Sequence, residues 1–279
     1  MVQPLPTLDQ QPRIYPQGSP LVVIGGAEDK EREKSILKTF FTIAGGPQAR
    51  ILIIPSASSM PEILAEVYRL VFVQMGAAKV DVLNITSRFE ADLVETVERV
   101  RASSGVFMTG GDQVRLCNLI AHSALARAMQ QGSILGQLVL AGTSAGASAL
   151  GACMIARGYS GEAPKRNIVE LSEGLGILKN VIVDQHFHNR NRLPRLMTAV
   201  AARPDCLGIG IDENTACILH AEGTLEVIGE GTVTIVDGSE LIYNTINEIQ
   251  AYQPLSVGSF RLSVMAQGLR YNLRERKTL

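Results

Sequence analysis

The stretch Leu138-Val-Leu-Ala-Gly-Thr-Ser-Ala-Gly-Ala-Ser148 decides the fold. Its apolar residues run without a polar interruption, as in a strand buried on both faces. Gly142-Thr143-Ser144-Ala145-Gly146 then breaks the run, and the small residues of 147–154 suit a helix lying close against a sheet. Strand, sharp turn and helix in that order are the unit from which α/β proteins are built.

Reading outward, the unit recurs. Apolar strands are predicted at 21–26 (with its glycine turn), 50–55, 79–83, 105–108, 137–141 and 180–183, and again from Leu207 to a pair of acids. Helices are predicted at 31–44, 61–75, 91–101 and 114–130, the second opened by Pro61 in its first turn and closed by Gly76. Fully apolar strands alternating with helices predict an α/β fold, a mostly parallel sheet with helices on both faces. Beyond Gly208 the texture changes. Residues 214–236 read as short strands with turns at Glu222-Gly223 and Gly229-Glu230-Gly231, a C-terminal antiparallel meander. No Pro/Gly/Ser-rich linker and no internal repeat divides the chain. Residues 19–279 therefore read as one α/β domain, preceded by a Pro- and Gln-rich flexible arm at 1–18.

Composition removes several classes of function. Of 279 residues, 46% are hydrophobic and 19% charged, enough for a large core and wrong for a disordered chain. The 26 basic and 27 acidic residues leave a formal charge of −1, so no global basic field points to nucleic acid. Cys117, Cys153, Cys206 and Cys217 form no C-x-x-C pair, lie in apolar stretches and read as buried thiols, with no structural metal. The N-terminal stretch has no apolar h-region, and no apolar run approaches the ~20 residues that span a bilayer. A soluble cytoplasmic protein is expected.

Chemistry in such a sheet gathers in the turns at the carboxyl ends of strands. The Gly142–Gly146 turn has the context of a nucleophile elbow, with Ser144 projecting from it and the amide of Ala145 placed as an oxyanion donor. The plainer reading is a glycine-rich helix start that binds phosphate or only packs. After the strand at 105–108, Gly110-Gly111 lets backbone amides face a ligand, and Gly111 is the candidate second oxyanion donor. A serine hydroxyl needs a base. Of the four histidines, His122 falls in a predicted helix before the elbow, His220 inside a meander strand, and His188 two residues past His186, which itself stands at a strand end. The orienting acid is open among Glu162, Asp184, Asp212 and Glu213, with Glu213 favoured over Asp212 for reach. A serine, acid, histidine order would be that of the α/β-hydrolases and would require His220. The position of His220 and the lack of an HGGG-type loop favour serine, histidine, acid.

Four blocks carry a family resemblance: Gly25-Gly26-Ala27-Glu28-Asp29-Lys30, Thr109-Gly110-Gly111-Asp112-Gln113, Gly142-Thr143-Ser144-Ala145-Gly146-Ala147-Ser148 and Asp184-Gln185-His186-Phe187. In this order they resemble the cyanophycinase family, a branch of the dipeptidase E-like serine peptidases. The resemblance runs from about Pro20 to the C-terminus and implies a class I glutamine amidotransferase-like, flavodoxin-like fold. It implies Ser144 as nucleophile, His186 as base, Glu213 as acid, and Gly111 and Ala145 as the oxyanion positions. Gln113, Asp184, Gln185, Arg190, Arg192 and Arg195 match positions lining the family's substrate pocket. Ala27 stands where the family block has histidine, in a turn to which no chemistry is assigned.

The implied substrate is cyanophycin, poly-aspartate with arginine on each β-carboxyl, cut by an exopeptidase to β-Asp-Arg dipeptides. No cofactor and no metal is implied, and the resemblance suggests a homodimer. A chain end bearing carboxylates and guanidinium groups suits these residues. Arginines grip carboxylates bidentately, Arg192 and Arg195 would share a helix face, and Asp184 could receive a guanidinium. The plainer reading of the two arginines is a solvated helix face. A dipeptidase for short aspartyl peptides and a non-catalytic binding protein of the same fold remain as alternatives.

Overall fold

Along each central strand, successive side chains point to opposite faces, and both faces are apolar. The computed structural model describes residues 18–279; the expected arm, except for Gly18, lies outside the described residues. In chain order the elements are β1 (Leu21–Ile24), α1 (Ser35–Ile43), β2 (Arg50–Ile54), α2 (Pro61–Gln74), β3 (Lys79–Val82), α3 (Val94–Arg101), β4 (Gly105–Met108), α4 (Gln113–Ile120) and α5 (Ala124–Ile134). They continue with β5 (Val139–Thr143), α6 (Ala145–Ala149), β6 (Cys153–Gly158), β7 (Val169–Glu173), β8 (Val181–Gln185), α7 (Leu193–Ala202), β9 (Leu207–Ile211), β10 (Thr215–Leu219), β11 (Thr224–Gly229) and β12 (Val233–Asp237). The chain ends in β13 (Tyr243–Asn244), β14 (Val257–Gly258), β15 (Arg261–Met265), β16 (Arg270–Asn272) and β17 (Lys277–Thr278).

The main sheet has the order β17-β16-β11-β10-β1-β5-β4-β2-β3. From β1 to β3 every pair is parallel; from β1 outward through β10 every pair is antiparallel. Val22, Ile24, Ile51, Ile53 and Phe107 face α1 and α2, where Phe40, Phe72 and Phe107 pack with ring centroids 5.5–5.6 Å apart. Leu21, Val23, Leu52, Ile54, Val106 and Met108 face the other layer, with Leu116, Leu125 and Met129. The expected α/β architecture with helices on both faces is what the chain forms.

A second sheet, β15-β12-β9-β8, is covered by α7 through Leu196, Ala199 and Val200. The predicted meander is therefore divided. β10 and β11 form a hairpin on the main sheet, whereas β12 leaves at the Gly229–Gly231 turn to pair with β9. Asp212 drives the departure, because its Oδ2 accepts the backbone N–H and the hydroxyl of Thr232 at 3.0 and 2.7 Å.

The predicted helices at 31–44 and 91–101 begin later, at Ser35 and Val94, and two others are broken or cut short. The 114–130 helix is broken between α4 and α5. The hydroxyl of Ser123 donates to the Ile120 carbonyl at 2.6 Å and accepts the N–H of Ala126 at 3.1 Å, capping α5, while His122 turns left-handed with φ 61°. His122 is thus in a turn, not a helix; it is exposed and pairs with Glu173 at 2.9 Å. The elbow helix ends at Ala149, since residues from Cys153 pair with β7 in a hairpin.

Candidate active site

One edge of the molecule collects the carboxyl ends of β1, β5 and β8 and the amino end of β10. β5 runs parallel to β1 while β10 runs antiparallel to it, so the residues after β5 and before β10 reach the same edge. β8 delivers its end from the second sheet, where the backbone N–H of His186 donates to the Gly25 carbonyl at 2.8 Å.

Ser144 sits between β5 and α6 with φ 53° and ψ −112°. A non-glycine residue held there stores on the order of 1–3 kcal/mol, tolerated only where neighbours fix it. They do. A Cβ on Gly142 would lie 2.4 Å from the Gly146 carbonyl carbon, and one on Gly146 2.4 Å from the Met108 carbonyl oxygen, so strand and helix approach as closely as glycine permits. The Gly110-Gly111 turn lies against the serine, with a Cβ on Gly110 falling 3.3 Å from Ser144 Cβ. Ala145 opens the short helix, where the first amides have no intrahelical acceptor.

A chain of hydrogen bonds leads away from the serine. Ser144 Oγ is 2.9 Å from His186 Nε2, and His186 Nδ1 is 2.6 Å from Glu213 Oε1. The backbone N–H of Glu213 donates to Asn189 Oδ1 at 3.0 Å, fixing the acid to the histidine's own loop. Burial lowers the imidazole pKa; the hydrogen bond to Glu213 opposes this, and the charges of Arg190 and Arg192 add to the lowering. The net lowering favours the neutral imidazole, the form that can accept a proton.

The other candidates are committed elsewhere. Asp212 is buried, its Oδ1 accepting the N–H of His188 at 2.8 Å and its Oδ2 engaged by Thr232. Glu162 pairs with Lys165 at 2.7 Å on the surface. His188 Nε2 is 3.1 Å from Thr234 Oγ1, and His220 lies by Glu222 and Glu226 beyond β10.

The expected pocket residues form a more closed structure than a lining. Asp184 is 1% exposed; Arg195 Nε donates to its Oδ2 at 2.7 Å, Arg195 Nη2 donates to its Oδ1, and Arg192 Nη1 lies 3.5 Å from the same oxygen. Arg192 Nη1 also donates to the Gln185 carbonyl and Oε1, both at 2.6 Å, and Gln185 Nε2 donates to Ser148 Oγ at 3.3 Å. Neither arginine belongs to a solvated face. The expectation that Asp184 receives a substrate guanidinium is corrected, because two arginines of the chain already occupy its carboxylate. Gln113 spends its amide on β6, donating to the Ile155 and Ala156 carbonyls at 2.9 Å each. Arg190 is exposed, and Arg192 Nε is buried without an acceptor among the described residues.

Sequence reasoning assigned no chemistry to the turn after β1, with Gly26 and Glu28, or to Thr143 at the end of β5. Gly26 packs on the imidazole, and Glu28 is 3% exposed and bonded to Thr143. One signal was available: a turn at the carboxyl end of a central strand belongs on the functional edge. Asn189 gave no such signal.

The model of peptidase family S51 matches residues 21–227. A cyanophycinase of Nostoc sp. (strain PCC 7120) is 48% identical over 259 residues, spanning 93% of this chain and 87% of that protein. A cyanophycinase of Synechococcus elongatus is 47% identical over 254 residues, spanning 91% and 79%. Among solved structures, a peptidase from an acI-B1 actinobacterium superposes with a TM-score of 0.66 at 22% identity, covering 93% of this chain and 98% of that one.

Proposed function

The chain belongs to peptidase family S51, and we propose that it is a serine-type exopeptidase that hydrolyses cyanophycin to β-Asp-Arg dipeptides through an acyl-enzyme. The observation that carries this reading is the unbroken line from Ser144 through His186 to Glu213 at the carboxyl edge of the sheet. Ser144 Oγ attacks the scissile carbonyl as its proton passes to His186 Nε2, and Glu213 stabilises the imidazolium that forms. The oxyanion is held by the amides of Gly111 and Ala145. His186 then gives its proton to the departing amine, and water hydrolyses the ester with His186 again as base.

In this reading Arg190 and Arg192 meet the carboxylates of the substrate. Burial pushes the pKa of Arg192 down to about 10, and the charge of Asp184 only partly opposes this. A carboxylate reaching its buried Nε would supply both the missing acceptor and the missing charge. Asp184, Gln185 and Arg195 act behind it as positioning residues, and Gln113 holds the β6–β7 hairpin against the site.

The same reading includes work in the cytoplasm, which four buried free cysteines suit, and a homodimer. No described helix is long and apolar enough to cross a membrane. Fractionation and a mass measurement in solution test the two points.

Incubating the purified protein with insoluble cyanophycin and identifying the soluble products by mass spectrometry tests the central claim. β-Asp-Arg is expected. Intact polymer beside hydrolysis of free aspartyl dipeptides would replace the substrate. No hydrolysis, together with no labelling of Ser144 by a serine-directed phosphonate, would overturn the mechanism.

A further inference from the structure

The segment 24–29 touches all three loops that carry the proposed triad. Toward the nucleophile, Ser144 N–H donates to the Ile24 carbonyl at 3.0 Å, and Thr143 Oγ1 donates to Glu28 Oε2 at 2.7 Å. Toward the base, the Gly25 carbonyl accepts the His186 N–H, and Gly26 lies flat against the imidazole, where a Cβ would come within 2.5 Å of Cε1 and Nε2. Toward the acid, the Gly26 carbonyl accepts the N–H of Asn214 at 2.9 Å, and Asn214 Oδ1 accepts the N–H of Asp29 at 2.9 Å. Asp29 stiffens the turn from its far side, accepting the N–H groups of Glu31, Arg32 and Lys34 at 2.8–2.9 Å. These donors, Arg32 first, hold its carboxyl well below the usual carboxylate range.

Glu28 is the only side chain of the turn that reaches beneath the elbow. Its carboxylate, 1% exposed, accepts from the hydroxyls of Tyr68 and Thr143, and Lys30 Nζ lies 3.3 Å from Oε1 while donating to the Glu28 carbonyl at 2.8 Å. Burial, then the neighbouring Glu28, keeps the Tyr68 phenol protonated and therefore a donor. A buried acid with a donor on each oxygen and a cation beside it is fully satisfied, so nothing here waits for a ligand. Its effect is mechanical: it ties α2, the turn and the residue before Ser144 into one body.

Resting on the triad reading above, we propose that Glu28 is a positioning residue that holds Ser144 in register with His186. The turn is the common reference for nucleophile, base and acid, and Glu28 fixes the nucleophile to it. Removing the carboxylate leaves Thr143 and Tyr68 without their acceptor and releases the strained elbow, while the substrate-facing arginines are untouched. The loss should therefore fall on kcat and not on KM.

The experiment compares the full chain with Glu28→Ala, Glu28→Gln, Thr143→Val and Asp237→Asn. Asp237 is an equally buried acid, held by Arg261 and Arg276 on the second sheet, and serves as a control for instability alone. Steady-state kinetics on soluble cyanophycin, the rate of phosphonate labelling and thermal melting are measured on each. For Glu28→Ala, kcat and labelling rate are expected to fall together by about 10–100-fold, as for a misplacement near 1 Å, with KM within about twofold. Glu28→Gln keeps an acceptor and should recover to within about tenfold of wild type. Asp237→Asn should lower the melting temperature with kcat per folded molecule unchanged.

Should Glu28→Ala fail to fold, Thr143→Val removes one bond only and is expected to cost about 3–10-fold in both rates. Wild-type kcat in Glu28→Ala, or in Thr143→Val where the former does not fold, overturns the inference while leaving the triad reading intact. So does a loss in Asp237→Asn matching that of Glu28→Ala. A wild-type protein that neither labels nor hydrolyses overturns the triad reading instead.

Discussion

Replacing Gly26 with alanine perturbs the site at one atom. The new Cβ would stand 2.5 Å from both Cε1 and Nε2 of His186. Carbon and nitrogen atoms rest at about 3.5–4.0 Å, so ring and turn must separate by about 1 Å or more. Gly26 has φ +97°, a conformation alanine resists, so the turn is a poor candidate to yield without strain of its own. If the imidazole takes up the whole displacement, the Ser144–His186 bond lengthens from 2.9 Å to as much as about 3.9 Å, too long to carry a proton. An error of 1 Å in a catalytic group costs on the order of 10²-fold, about 2.7 kcal/mol of barrier, and complete loss of the base approaches roughly 10⁶. The expected kcat lies between these limits, in a chain that still folds. The assay is dipeptide release from cyanophycin, with phosphonate labelling of Ser144 as a measure of nucleophile activation and circular dichroism as a fold check. A folded Gly26→Ala variant within about threefold of wild-type kcat, far from the 10² expected of such a shift, would refute the placement of the imidazole against this turn.

Ser144→Ala should lower turnover by roughly 10⁶ and abolish phosphonate labelling, read out by burst kinetics and intact mass. The acidic limb of kcat/KM should have its midpoint below the ordinary imidazole value of 6.5, because burial lowers the His186 pKa; a profile between about pH 4 and 9 checks this, and a midpoint above 6.5 contradicts it. The same shift gives the sign for stability. The unfolded chain binds the proton first as pH falls, so the contribution of His186 is present above 6.5 and declines as pH falls through the folded value. Arg195→Met leaves Asp184 buried with only the longer contact to Arg192 and the backbone N–H of Gln185, and should cost about 3–5 kcal/mol in urea unfolding. Adding Asp184→Leu should return only part of that loss, since the apolar pair strands no carboxylate but leaves Arg192 with its Gln185 contacts and no acid.

How far the chain could be read without coordinates depends on whether the deciding contact is local. The strand, turn and helix around Ser144 are legible because the glycines of 142–146 and the strand before them are neighbours in sequence. The histidine that meets Ser144 was legible from its place at a strand end, and its carboxylate partner was narrowed to the pair Asp212-Glu213, whose two side chains leave the loop in different directions. Asp212 turns to the second sheet and Glu213 to the imidazole, a choice made by Thr232 and Asn189 from segments about twenty residues away. The break at Ser123 was hidden because apolar spacing continues across it while a single hydroxyl caps the second helix.

The arginines were legible in the sequence but their protein partners were not, for the same physical reason. Spacing placed Arg192 and Arg195 on one helix face, yet nothing local says that face meets β8, where Asp184 has turned inward between them. A charge pair eleven residues apart is settled by packing. The turn after β1 is the sharper case. Its glycines and acids look like ordinary loop punctuation until β10 is laid antiparallel beside β1 and β8 arrives from another sheet. Only then do backbone groups of Ile24, Gly25, Gly26 and Asp29 become the frame for the proposed nucleophile, base and acid at once. The chemistry stands in the side chains, and its alignment stands in contacts that cross between the sheets.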